Sequence, residues 1–371
     1  MIPLAPPALG REEIEALKAV IDSGWITMGE RVLEFEKRFA QLHGAGSALA
    51  VDSCTAGLHL ALSALGIGPG DEVLVPSLTF VATVNVAIYA QAVPVFVDVQ
   101  SEDVPHISIA DAQRKITPKT RAVIVMHYAG YLADMDAWRD FADRNSIALI
   151  EDAAHAPGVE GVGLKSDASA FSFFSNKNIT TAEGGMVLAR DPKVLERIKL
   201  MRSHGMTAST LDRHKGRAYS YDVMELGYNY RMDELRAAIG LVQLARLMEW
   251  NERRRSLTAL YRSKLARIDG VRVPFGGWAK TAAHIMPVLL PQGVNRSAVI
   301  DEMRKRGVQT SVHYPPAHLF TYHSKRFPGV SLPLTERFCA TELTLPLYPG
   351  LADGEVGLVA TALEESLKAV R

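Results

Sequence analysis

Short apolar runs recur along the first half of the chain, at Ala48–Val51, Glu72–Val75, Val93–Val97, Ala122–Met126, Ala148–Glu151, Ala170–Phe174 and Gly185–Ala189. Each is short and bounded by polar or turn residues, the pattern of a buried strand. Helical patterns fill most of the gaps between the earlier runs: Ala56–Leu65, Val81–Ala90, Ile107–Lys115 and Asp134–Arg144. Strands alternating with helices predict an α/β fold, a large and mainly parallel seven-stranded sheet covered on both faces. In such sheets ligands sit beyond the carboxyl ends of the strands, so the residues just after each strand carry the interest.

Two helical patterns precede the sheet. Glu12–Ser23 places Ile14, Leu17, Val20 and Ile21 on one face, and Arg31–His43 does the same with Val32, Phe35, Phe39 and Leu42. The segment between them, from Gly24 to Gly29, reads as an irregular loop. Met232 to about Asp269 contains no proline and reads as one long helix or a bent pair. A smaller α+β unit follows, with strands near His284–Leu290 and Gln309–Val312, a helix at Ser297–Arg306 and a closing helix near Glu355–Val370. The expected organisation is a large domain over residues 1–250 and a small C-terminal domain over residues 251–371.

Composition narrows the function. Lys+Arg and Asp+Glu are both 41 among 371 residues, so no basic excess points to nucleic acid or an anionic membrane surface. The two cysteines, Cys54 and Cys339, form no CxxC pair, which excludes zinc ribbons and disulfide frameworks. No HExxH, P-loop or GxSxG motif occurs, and no metal site is expected. No apolar stretch is long enough to span a bilayer, and the start lacks a signal-like pattern. A cytoplasmic protein is expected.

Four features carry candidate chemistry. Lys177 follows an aromatic strand and precedes Asn178, Thr180 and Thr181; a lysine in a partly apolar pocket becomes a nucleophilic amine, whereas the plain alternative is a solvated loop lysine. Asp152 ends a buried strand, where a carboxylate can face a ring nitrogen or merely cap a helix. Ser53-Cys54-Thr55-Ala56-Gly57 joins a strand to a helix whose N-terminus can cradle a phosphate, or simply be capped. Phe80, in Pro76-Ser77-Leu78-Thr79-Phe80, is either a stacking platform or a core residue. Together they put a phosphate cradle, a ring stack, a ring-nitrogen partner and a Schiff-base lysine at one edge of one sheet, the set that pyridoxal phosphate requires.

The ordered blocks Gly24-Trp25-Ile26-Thr27, Leu65-Gly66-Ile67-Gly68-Pro69-Gly70-Asp71-Glu72-Val73, Pro76–Thr83, Pro94–Asp98, Glu151-Asp152-Ala153-Ala154-His155, Phe171-Ser172-Phe173, Glu183-Gly184-Gly185, Gly227–Met232 and His313-Tyr314-Pro315-Pro316 with His318 resemble the DegT/DnrJ/EryC1/StrS family of sugar aminotransferases, pyridoxal-phosphate enzymes of fold type I. The resemblance implies that Lys177 holds the cofactor and carries the proton, and that Asp152 pairs with the pyridine nitrogen. It puts His155 near the phenolic oxygen, Phe80 on the ring, and Thr55, Ala56 (through backbone amides) and Ser172 on the phosphate. Asn229 is expected to reach the phosphate of a neighbouring subunit, which makes a homodimer with shared sites. Trp25, Thr27, Arg231, His313, Tyr314 and His318 are the candidates for the sugar and nucleotide.

The implied reaction moves an amino group from an amino acid, L-glutamate by resemblance, to a nucleotide-linked 4-keto-6-deoxyhexose. A keto-cyclitol or a 3-keto sugar as acceptor, a cofactor-dependent sugar dehydratase and a non-catalytic regulatory protein on the same fold are the competing readings. Lys177 speaks against the dehydratase, which carries His there. Three positions depart from the family pattern: Cys54 where Gly is usual, Gly57 where Ala is usual, and Ala182 where Gly is common. The basic stretch Asp212-Arg213-His214-Lys215-Gly216-Arg217 is either a diphosphate contact or a solvated loop.

Overall fold

The structure, a computed structural model, describes residues 1–208, 216, 219–278 and 280–370; the basic stretch at 212–217 lies outside the described residues apart from Gly216. Helices α1 (Arg11–Ser23) and α2 (Glu30–His43) precede the sheet. The alternating region gives β1 (Leu49–Val51), α3 (Cys54–Ala64), β2 (Glu72–Pro76), α4 (Ala82–Tyr89), β3 (Val93–Val97) and α5 (Ile109–Lys115). It continues with β4 (Thr120–Met126), α6 (Met135–Asn145), β5 (Ala148–Asp152), β6 (Ala168–Ser172) and β7 (Gly185–Ala189). All seven expected strands form one sheet, in the order β1-β7-β6-β5-β4-β2-β3. Only β7 runs against its neighbours β1 and β6; the remaining pairs are parallel.

Burial explains the pattern. Leu149 and Ile150, successive residues on opposite faces of β5, are both fully enclosed, as a sheet covered on both sides requires. Phe35, Phe39, Phe171 and Phe173 interlock between α2 and one face. Val73, Val75, Ile124 and Ile150 pack against Leu58, Leu62 and Val84 on the other. Beneath the sheet edge, Arg202 is buried against Glu36 at 2.5 Å and the Ala50 carbonyl at 2.6 Å.

Helix α7 (Pro192–Met201), capped by Asp191, was not expected from the sequence. The long segment is a single helix, α8 (Glu234–Leu265), capped by Asp233. It crosses residue 250 unbroken, and its core partners change along its length. Leu244 and Leu247 belong to the core of the large sheet, whereas Leu257, Tyr261 and Leu265 belong to that of the smaller unit.

The smaller unit contains β8 (Met286–Leu289), α9 (Arg296–Lys305), α10 (Thr321–Arg326), α11 (Pro333–Thr341), β9 (Glu342–Leu345) and α12 (Asp353–Val370). The expected strand at Gln309–Val312 does not form; Ser311 makes one isolated bridge to Thr344. The partner of β8 is β9, antiparallel. Ile2, counted with the large domain from the sequence, pairs instead with Val308 and packs on the smaller unit's core. No helix among the described residues is long and apolar enough to cross a membrane.

Candidate active site

The carboxyl ends of β5 and β6, the start of α3 and the segment around residue 313 enclose a cavity of about 410 Å³. Thr55, Phe80, Asp152 and His155 line it, as do Ser172, Lys177, His313 and Tyr314. Eight of the fourteen residues expected from the sequence are thus brought together.

Asp152 is the last residue of β5 and is buried. Its Oδ2 accepts the Thr83 hydroxyl at 2.6 Å, and its Oδ1 accepts the Ala154 N–H at 3.1 Å. These two bonds fix the carboxylate plane. Thr83 closes the block Pro76–Thr83 but was not singled out as a site residue; it is the second residue of α4, on the face turned to the sheet.

Lys177 stands in the turn after β6, its N–H donating to the Phe174 carbonyl. Loss of water around the ammonium lowers its pKa to about 8, against the opposing pull of Asp152 and Cys54. Its Nζ lies 3.5 Å from Nε2 of His284, a residue the sequence reading did not single out. The tautomer of His284 follows from its neighbours. Asn178 donates its amide hydrogens to the Asn251 Oδ1 at 2.7 Å and the Ala282 carbonyl at 2.9 Å, so its Oδ1 faces His284 as an acceptor at 2.8 Å. The hydrogen therefore sits on His284 Nδ1, and Nε2 turns its lone pair to Lys177. Burial, with the nearby His155 and Lys177, holds His284 well below the usual histidine pKa, so it stays neutral.

His155 packs its ring 4.3 Å from that of His284 and pairs through Nε2 with the Tyr314 hydroxyl at 2.9 Å. Its Nδ1 is buried with no protein partner, an arrangement that calls for a polar group from a ligand. Phe80 is 55% exposed, tilted against Tyr314 at 6.0 Å, and walls the cavity.

At the other end, α3 points its N-terminus at the cavity. The Ser53 hydroxyl caps it by accepting the Ala56 N–H at 3.1 Å. This corrects one expectation: the Ala56 amide is already engaged, which leaves the amides of the first helical residues, Cys54 and Thr55, for an anion. Gly185 makes room for this cup, since a Cβ there would lie 2.7 Å from the Cys54 nitrogen. The departures from the family pattern also find their places. Cys54 is an ordinary helical residue, Gly57 is required because a Cβ would meet Val187 at 2.8 Å, and Ala182 adopts φ 68°, where glycine is at ease.

The other expected residues lie elsewhere. His318 is buried, bonded to Ser77 Oγ at 2.7 Å and Glu336 at 3.2 Å, and ties the loop after β2 to the smaller unit. Trp25 and the exposed Thr27 belong to the loop between α1 and α2, where Trp25 covers Gly29. Arg231 bridges to Val51 at the sheet edge, and Asn229 is exposed and bridged to Ser203. None of these five lines the cavity.

The cavity's chemistry fits pyridoxal phosphate: an anion cup at one end, a fixed carboxylate in its depth, an aromatic wall, an orphaned imidazole nitrogen and a lysine of lowered pKa. The DegT/DnrJ/EryC1/StrS aminotransferase family model matches residues 7–364. The aminotransferase TlmJ of Streptoalloteichus hindustanus is 34% identical, with all of this chain and 99% of that one covered, at a TM-score of 0.91. The sugar aminotransferase Spr1654 of Streptococcus pneumoniae, solved in its PLP form, is 29% identical over 100% and 99% of the two chains, with a TM-score of 0.90. DesI, solved in the presence of its TDP-sugar product, is 31% identical over 100% and 94%, with a TM-score of 0.88. The chain belongs to the DegT/DnrJ/EryC1/StrS aminotransferase family and is a pyridoxal-phosphate-dependent aminotransferase.

Proposed function

We propose that this enzyme moves an amino group from L-glutamate to a nucleotide-linked 4-keto-6-deoxyhexose, as a homodimer with shared active sites in the cytoplasm. The observation that carries the chemistry is Lys177, whose pKa falls to about 8 while a neutral imidazole lone pair stands 3.5 Å away. When bound, the cofactor supplies a ring that takes up the electron pair left when a substrate carbon loses its proton. Lys177 is the nucleophile that anchors it and the carrier of that proton. His284 Nε2 offers the lysine Nζ a lone pair at 3.5 Å and orients it by a hydrogen bond, while burial lowers the lysine pKa toward neutrality. Asp152, held by Thr83 and the Ala154 N–H, is the anion that keeps the ring nitrogen protonated. Phe80 would stack on the ring, Thr55 and Ser172 would hold the phosphate, and His155, whose buried Nδ1 has no protein partner, would meet a polar atom of the cofactor.

Two features support the nucleotide sugar. DesI, the relative solved with a TDP-sugar product, covers the whole of this chain. An apolar cleft of about 610 Å³ adjoins the cavity, shares Phe80 and Tyr314 with it, and adds Tyr89, Phe320 and Tyr322, aromatic faces on which a base can stack. The exposure of Asn229 outside its own cavity supports a contact with a second copy. Both cysteines are unpaired, which suits a reducing compartment.

The test is an absorbance spectrum of the cofactor-loaded protein before and after L-glutamate, followed by a panel of acceptors. Conversion to the amino form of the cofactor and turnover of a nucleotide-linked 4-keto sugar are expected. Response to L-glutamine alone would replace the donor, and turnover of a free keto-cyclitol or a 3-keto sugar alone would replace the acceptor.

A further inference from the structure

His313 hangs on a chain of hydrogen bonds that begins at a carboxyl group outside the cavity. Glu342 opens β9 and is fully buried. Its Oε2 accepts the backbone N–H of His313 at 2.9 Å, and its Oε1 lies 2.5 Å from the Thr344 hydroxyl. The same hydroxyl lies 2.9 Å from His313 Nδ1. The imidazole lines the active-site cavity, and among the described residues no hydrogen bond engages its Nε2.

A hydroxyl has one hydrogen to give, so this chain has two self-consistent settings. With an ionised Glu342, Thr344 donates to Oε1 and accepts from His313 Nδ1–H, and Nε2 shows a lone pair to the cavity. With a neutral Glu342, the proton sits on Oε1, because Oε2 is occupied by a backbone N–H. That proton goes to Thr344, Thr344 donates to Nδ1, and Nε2–H faces the cavity as a donor.

His313 itself stays neutral, since burial and the charge of Lys177 lower its pKa to about 4. Only its tautomer is open to control. Burial pushes Glu342 up to about 8, against the pull of Thr344, the His313 N–H and Arg296. The other titratable groups that face this carboxyl are Cys339 at the end of α11, Tyr128 in the turn after β4 and Tyr314 beside His313, and burial raises all three. Arg296, on α9, is the one cation on this side among the described residues, and its guanidinium is spent on the carbonyls of Cys339 and Glu342.

We propose that Glu342, acting through Thr344, is a positioning residue that decides whether His313 offers the keto sugar a hydrogen-bond donor or an acceptor. The proposal rests on the reading of the cavity as a keto-sugar site. A donor suits a ketone or hydroxyl oxygen; a lone pair suits only a hydroxyl or amine hydrogen. Near neutral pH the donor setting holds, and above about pH 8 it gives way to the acceptor setting.

The substitution Glu342→Gln tests this directly. The glutamine oxygen must accept the His313 N–H, so its amide hydrogens point to Thr344 and lock the donor setting at every pH. Nitrogen-15 NMR of histidine-labelled, cofactor-loaded enzyme reads the tautomer, with His313→Asn to assign the signals. In the wild type, the His313 nitrogens should exchange their protonated and unprotonated shifts as pH rises through 8; in Glu342→Gln they should not. In parallel, KM for the keto sugar should rise above pH 8 in the wild type and stay flat in Glu342→Gln. Thr344→Val cuts the chain and should raise that KM about tenfold, the value of one hydrogen bond, with kcat kept and Thr344→Ser restoring it. Glu342→Gln and Thr344→Val, both outside the cavity lining, should react with L-glutamate as the wild type does, which separates this role from misfolding. Identical nitrogen shifts in wild type and Glu342→Gln across the pH range would overturn the proposal, as would an unchanged KM in Thr344→Val. A wild type that accepted no keto sugar would sink the functional reading instead, while the nitrogen shifts still decided the relay.

Discussion

Lys177 Nζ stands 3.5 Å from His284 Nε2, across 107 residues of sequence. The large sheet supplies the amine and the smaller unit supplies its hydrogen-bond acceptor. For His284→Ala, the conversion driven by L-glutamate should slow roughly tenfold, the value of one hydrogen bond that orients the amine. Cofactor content should be unchanged. Stopped-flow absorbance resolves the first and the absorbance spectrum the second; an unaltered rate would remove His284 from the chemistry.

The lysine is nucleophilic only without its proton. With a pKa of about 8, capture of pyridoxal phosphate by the apoprotein should accelerate as pH rises from 6.5 and level off above 8. A free lysine would keep accelerating to about 10.4, and such a profile would refute the desolvated site. Lys177→Ala should fold with undiminished thermal stability, because it removes a charge from a dry site, and should show no turnover.

Thr83 gives Asp152 a 2.6 Å hydrogen bond. For Thr83→Val, which keeps the shape and deletes the donor, the first half-reaction should fall roughly tenfold and the cofactor should dissociate faster, since a bond to a charged acceptor contributes about 1.5–3 kcal/mol. Dialysis against buffer followed by absorbance measures the second effect. Equal retention in both proteins would mean that the Ala154 N–H alone fixes the carboxylate.

Arg202 and Glu36 meet in the dry interior at 2.5 Å. Arg202→Ala strands the carboxylate, although the Ala50 N–H still reaches it. Urea unfolding should show a loss of about 3–5 kcal/mol, with activity per folded molecule intact. Replacing both partners by apolar residues should cost far less.

Much of this was legible in the chain. Strands buried on both faces have no alternation to hide, so all seven runs of the large sheet stood out, with Asp152 closing β5 and Lys177 following β6 as ligand-end residues. His284 did not stand out. In Ala282-Ala283-His284-Ile285 it reads as a core histidine, and only the folded chain brings it to Lys177. Glu342 hid β9, because a carboxylate at the head of a four-residue strand looks like the last turn of the preceding helix. His318 was misplaced for the converse reason: its motif lies next to the cavity in sequence, but the short helical turn at Ala317–Leu319 buries it against Ser77. Asn229 and Trp25 sit in motifs that resemble the family's, but the fold of this chain places neither in the cavity lining.

The uninterrupted course of α8 through residue 250 bears on how this enzyme can be re-engineered. Asn251 holds Asn178 and the Pro157 carbonyl, and one turn later Arg254 reaches the carbonyls of His284 and Leu347. The same rod therefore braces the amine's neighbours on one side and the imidazole's on the other. Swapping in the C-terminal portion of a relative to change sugar preference would splice this rod in its middle and shift the catalytic spacing along with the specificity. A graft that retains α8 whole and exchanges only the segments beyond it would keep that spacing, and the helix is better regarded as the gauge of the active site than as a linker between two parts.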